Sequence, residues 1–181
     1  LAPKDSVEFA MNVNFDRIGA IQRRDGLTKL GATITSAAIL GMGNYRNNAG
    51  TIFAALAKNN ADVYANTGSG WSSVRSSLTT SSKARFTNLV DYTFMVNGNG
   101  NQGCQSWSGS GSFGTTNVAT LPAGDFIENY RSRLWVADGS NDKLYYSDVV
   151  SSTNTISGGT SFLQISPADG EKMTGLKRHP R

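Results

Sequence analysis

Apolar and polar residues alternate along much of the chain, and the apolar runs are short. Over residues 8–16, Phe9, Met11, Val13 and Phe15 fall on every second position, the period of a strand with one buried face. A second strand is predicted over residues 18–24, ending at the Asp25-Gly26 turn, and a third over residues 27–34. Further on, residues 92–96 run into Asn97-Gly98-Asn99-Gly100 and out through residues 104–107. Residues 133–137 run into Asp138-Gly139-Ser140-Asn141 and out through residues 143–146. Asn-Gly and Asp-Gly accept the positive φ of tight turns, so both stretches are predicted hairpins. Helical signal is weak. Residues 51–58 have helical propensity in Ala54, Ala55, Leu56 and Ala57, but Asn59-Asn60 follow and Val63-Tyr64 resume a strand pattern. A hairpin turning at Asn59-Asn60 is expected there.

The hairpins repeat. Phe53, Phe94, Trp135 and Leu176 are 41 residues apart by subtraction of their numbers, each with apolar neighbours. A second series, Tyr64, Gln105 and Tyr146, lies 11 residues further on, and a looser third layer holds Trp71, Phe113 and Phe162. A spacing of about 40–45 residues with roughly four strands per unit is the footprint of β-propeller blades. One blade alone cannot bury both faces, and stacking on neighbours completes its core. A β-sandwich with regular strands would give similar spacings. The fold expected is all-β, with antiparallel blade-repeat sheets like those of a β-propeller. Residues 1–35 are expected to form a strand-rich arm and residues 36–181 the blade-repeat domain. Three or four units fall short of the usual ring, and the chain opens at Leu1 and closes at Arg181. Both features suggest an incomplete propeller, or a segment of a longer protein.

Composition supports strands and turns. Glycine occurs 20 times, apolar residues make up 38% and charged residues only 17%, which leaves much Ser, Thr and Asn. The formal charge of +4 does not by itself require nucleic acid as a partner. No apolar run approaches the roughly 20 residues of a membrane helix. One cysteine, Cys104, and one histidine, His179, make neither an internal disulfide nor a Cys/His zinc cluster.

Candidate chemistry is thin. Asn66-Thr67-Gly68-Ser69-Gly70-Trp71 resembles the Asp-box turn of propellers, with Asn in place of the acid; such a turn packs and does not catalyse. Asp138-Gly139-Ser140-Asn141-Asp142 has calcium-like composition, but Lys143 and Val149 stand where a calcium loop needs Gly and Glu, so a polar turn is expected. Arg23-Arg24 and Lys177-Arg178-His179 are short basic clusters, expected to be solvated. Trp71, Trp107, Tyr145 and Tyr146 are candidate sugar-stacking aromatics, though aromatics on strands more often face a core. No triad is available around His179, and among the acids Asp125, Glu128 and Asp148 no pair stands out for glycoside hydrolysis. No catalytic residue, cofactor-binding residue or metal ligand is therefore predicted, and the chain is not expected to be an enzyme.

Residues 129–137, Asn-Tyr-Arg-Ser-Arg-Leu-Trp-Val-Ala, lead through a turn to Lys143-Leu144-Tyr145-Tyr146-Ser147-Asp148. Ile165, Pro167-Ala168-Asp169-Gly170 and Met173-Thr174-Gly175-Leu176 follow. This cadence resembles phage tail and virion structural proteins with propeller-like domains, the tail-nozzle proteins of short-tailed phages among them. Arg23-Arg24-Asp25-Gly26-Leu27-Thr28-Lys29-Leu30-Gly31 resembles an N-terminal stretch of the same group. The resemblance covers about half the chain and implies assembly in the virion: copies of the chain in a ring, contact with other tail proteins, and passage of phage DNA without sequence-specific contact. The alternatives are a carbohydrate-binding or host-attachment propeller module, favoured by aromatics beside Asn and Asp on one rim, and a fragment of a propeller glycosidase, favoured by two carboxylates in one cleft.

Overall fold

A computed structural model describes residues 13–17, 20–23, 31–51, 53–98, 100–115, 118, 120–150, 156–165 and 172–178. The chain divides into two units, Leu1–Leu30 and Gly31–Arg181. In the first, β1 (Val13–Arg17) pairs antiparallel with β2 (Ala20–Arg23), with a register shift between Asn14 and Arg17. Residues 8–12 of the predicted first strand lie outside the described residues. Of the predicted third strand, residues 31–34 form no strand and residues 27–30 lie outside the described set.

The second unit is all-β among its described residues. Its strands are β3 (Ile39–Arg46), β4 (Phe53–Asn59), β5 (Asp62–Asn66), β6 (Trp71–Arg75), β7 (Arg85–Leu89), β8 (Tyr92–Val96), β9 (Gln105–Trp107), β10 (Phe126–Tyr130), β11 (Arg133–Asp138), β12 (Lys143–Ser147) and β13 (Gly158–Gln164). They form three sheets in strict chain order: β3-β4-β5-β6, β7-β8-β9 and β10-β11-β12-β13. Every pairing is antiparallel. In the second sheet the fourth position is held by a single bridge, Ser106 to Gly114. The Ala-rich residues 53–59 are strand, not helix, because β3 and β5 pair with them on both sides; tertiary context outweighs local propensity. The hairpin turns at Asn60-Ala61, one residue later than predicted, with Asn60 at φ 54°.

The first strands of the three sheets are neighbours, with β7 beside both β3 and β10. Side chains alternate across a strand, so each sheet offers two faces. Leu56, Ala54, Val63 and Tyr45 of the first sheet share one core with Met95, Trp107 and Phe113, and Phe86 packs against it. Phe94 and Val96, from the other face of the second sheet, share a second core with Ile127, Leu134 and Val136 of the third. Trp107 stacks on Phe113 at 5.8 Å between ring centres and meets Tyr45 edge-on at 5.3 Å. The Tyr45 hydroxyl donates to Ser108 O at 2.8 Å.

The 41-residue repeat has a structural counterpart in the second and third sheets. Phe94 lies opposite Thr87, and Trp135 opposite Glu128, after two-residue turns at Val90-Asp91 and Arg131-Ser132. Both side chains point away from the preceding sheet. Phe53 breaks the series: it alternates with Ala54, so it points away from the second sheet and is 56% exposed, whereas Phe94 is wholly buried. The spacing of 41 from Phe53 to Phe94 is therefore odd relative to the faces of the two sheets, and an odd shift swaps faces.

Candidate functional site

Three asparagines run across the first strands. Asn88 on β7 donates from Nδ2 to Asn44 Oδ1 on β3 at 3.0 Å, and Asn129 on β10 donates from Nδ2 to the Asn88 carbonyl. Thr93 Oγ1 is bonded to the Asn44 carbonyl at 3.2 Å and to Asn88 Oδ1. Each later sheet thus reaches back to the one before it through an asparagine on its first strand. Asn88 and Asn129 are 41 residues apart, so the apolar period carried a polar companion that the reading of hydrophobic positions passed over.

The outward face of the third sheet bears a groove, about 400 Å³, lined by Trp135, Leu144, Leu163 and Leu176 with Glu128, Tyr130, Lys177 and Arg178 around them. Trp135 and Tyr146 lie with ring centres 5.2 Å apart, and Trp135 Nε1 donates to Tyr130 O at 3.2 Å, which fixes the indole. The Arg133 guanidinium sits 5.6 Å from the Tyr146 ring centre and that of Arg131 5.2 Å from Tyr130. Apolar and aromatic surface of this kind suits a flat apolar partner or a stacked ring.

The sequence candidates fall in different places. Trp107 is buried in the first core, while Tyr145 packs against the second and against Phe162 at 5.5 Å. Of the four named aromatics only Tyr146 comes near this groove, by packing on Trp135; Trp135 itself stands in the sequence as a repeat position and in the cadence of residues 129–137. Trp71 opens β6 in the first sheet. The Asp-box-like turn joins β5 to β6, and buried Asn66 accepts the Gly68 amide through Oδ1 at 2.8 Å. Asp138 closes its own turn, accepting the Ser140 amide at 3.0 Å and the Asn141 side-chain amide at 2.7 Å, so its oxygens serve the hairpin. Asp125 accepts the Gly139 amide, Glu128 the Asn129 amide and Asp148 the Ser157 hydroxyl, each in a bond within the third sheet and its connections. Lys177 and Arg178 border the groove; Arg24 and His179 lie outside the described residues. Among the described residues no group of three or more His, Cys, Asp or Glu is placed to hold a metal. Burial pushes the Cys104 thiol up to about 12, against a smaller opposing bond from the Gln105 backbone, so the thiol stays protonated and a poor nucleophile. No described helix is long and apolar enough to cross a membrane.

Lys58 is the one fully buried lysine among the described residues. Its ammonium donates to Asn60 O at 2.7 Å and Thr79 O at 3.0 Å, tying the β4–β5 turn to the segment that leads into the second sheet. Burial holds its pKa below the ordinary 10.5. A base with a depressed folded-state pKa contributes stability that is complete above the unfolded pKa and is lost as pH falls through the folded one. Lys58→Met, which cannot titrate, is expected to remove both bonds, leaving Thr79 O only its bond from Ser82 Oγ, at a cost of about 1–3 kcal/mol. The wild-type advantage over this variant should grow as pH rises towards 10.5. Urea unfolding of both proteins at pH 8, 9 and 10 measures this; an advantage that shrinks with pH contradicts the assignment.

The chain matches no family model, no curated protein and no solved structure.

Proposed function

We propose that the chain is a structural component of a bacteriophage virion, of the tail, that acts by assembly and not by catalysis. In this reading its three sheets are blades of a propeller-like array, and its partners are other tail proteins and copies of itself in a ring that lets DNA pass without reading its sequence. The observation that carries it is the stacking of three chain-ordered antiparallel sheets through apolar faces, with polar residues spent on turns and on the asparagine links. Asp125, Asp138 and Asp148 are engaged in structural bonds of the third sheet and its turns, which fits a scaffold better than an acid–base site. The tail-protein cadence of residues 129–176 supplies the virion part of the reading.

Quantitative mass spectrometry of purified phage particles tests it. The chain is expected at a fixed, multiple copy number per particle and to remain after washing in high salt. Its absence from intact particles would overturn the reading.

A second reading, a carbohydrate-binding or host-attachment module, draws on one observation: Trp135, Tyr146 and Tyr130 cluster at a groove of a size that suits one or two sugar rings. Quenching of Trp fluorescence by host glycans, abolished in Trp135→Ala, would favour it.

A further inference from the structure

We infer that the outward faces of the first and third sheets form a head-to-tail pair, so that a second copy of this chain continues the sheet stack; this rests on the assembly reading above. The tail is the third-sheet face that carries Trp135, Leu144, Tyr146 and Leu163. Trp135 alternates with Leu134 and Val136, which pack on the second sheet, and Tyr146, Leu144 and Leu163 share its side through the strand register. The head is the first-sheet face that carries Met42, Phe53 and Tyr64, opposite in direction to Tyr45, Ala54 and Leu56.

The occupant follows from continuity. Within one chain, the forward face of each sheet meets the backward face of the next: first to second, then second to third. A second copy is a partner whose head offers a backward face on a sheet of the same chain-ordered antiparallel build. The surfaces fit that role beside the chain's own segments, residues 176–178 along the tail groove and Thr35 and Ala37 bonded to Asn59 at one end of the head. Met42 is 78% exposed, Phe53 56% and Leu163 48%, although all three lie on strands in paired sheets. The asparagine links point the same way. Asn88 and Asn129 each reach back to the preceding sheet, whereas exposed Asn44, the corresponding residue of the first sheet, reaches none among the described residues. A preceding copy would supply the missing carbonyl from its β10. Forward and backward faces differ, so the contact is heterologous, and such contacts close into rings or run on as filaments.

The test uses Met42→Glu on the head and Leu163→Glu on the tail, both exposed positions where the fold should hold; unchanged circular dichroism and melting temperature check this. By analytical ultracentrifugation the wild-type chain is expected to self-associate with concentration. Each variant alone should associate at least tenfold more weakly. A mixture of the two should form a one-to-one dimer, because each supplies the intact face that the other lacks. A wild-type chain monomeric at all concentrations, variants that associate as the wild type does, or a mixture that fails to pair would each overturn the inference. A chain that fails here yet is found in phage particles would leave the virion reading standing and remove only the head-to-tail contact.

Discussion

Phe94→Ala is expected to destabilise the Gly31–Arg181 unit by about 3–5 kcal/mol, the cost of deleting a buried phenylalanine and leaving a cavity. That is a large part of the roughly 5–15 kcal/mol that holds an ordinary domain together. Phe94 is fully buried between the second and third sheets, among Val96, Leu134 and Val136, with Tyr92 tilted against it at 6.1 Å. The paired control is Phe53→Ala. The two residues are 41 positions apart and look equivalent in the sequence, but Phe53 is on an open face. Its loss should change stability by no more than about 0.5 kcal/mol when the chain is monomeric. Equal effects in urea unfolding would mean that the face assignment of β4 is wrong.

Gly41→Ala is expected to cost about 3 kcal/mol, the upper end for overpacking, because the obstacle is backbone. A Cβ on Gly41 would lie 2.2 Å from the Ala84 carbonyl oxygen, and the Ala84 amide is already bonded to Leu40 O at 3.0 Å. Neither group can yield without parting β3 from the chain that enters β7. At Gly114 an added Cβ meets nothing within 4 Å, so Gly114→Ala should stay within about 0.5 kcal/mol of wild type. Thermal melts of the two variants separate close sheet approach from a general intolerance of glycine replacement.

Sequence alone carried the strand content and two of the hairpins, since Asn97-Gly98 opens the connection from β8 to β9 and Asp138-Gly139 ends β11 at its turn into β12. It passed over β7 and β10. Their turns are Val90-Asp91 and Arg131-Ser132, and Val90, Arg131 and Ser132 hold positive φ without being glycine or asparagine. Turn chemistry gives no signal where tertiary packing imposes the conformation. The period of 41 found Phe94 and Trp135 as equivalents but misplaced Phe53, because an odd shift of a few residues is small in spacing and complete in face. The groove was hidden for a related reason. Trp135, Leu144 and Leu163 come from three strands and become neighbours only through register. Asp138 and Asn66 were legible as turn residues, because their bonds are local.

The most direct test of the central claim, function through stacked sheets, is imaging of the chain at residue resolution in its native particle. Several copies are expected about a common axis, sheets stacked face to face, with Trp135 and Leu163 covered by protein. A lone copy with that face open to solvent, its groove filled by a bound sugar or lined by a pair of carboxylates, would contradict it.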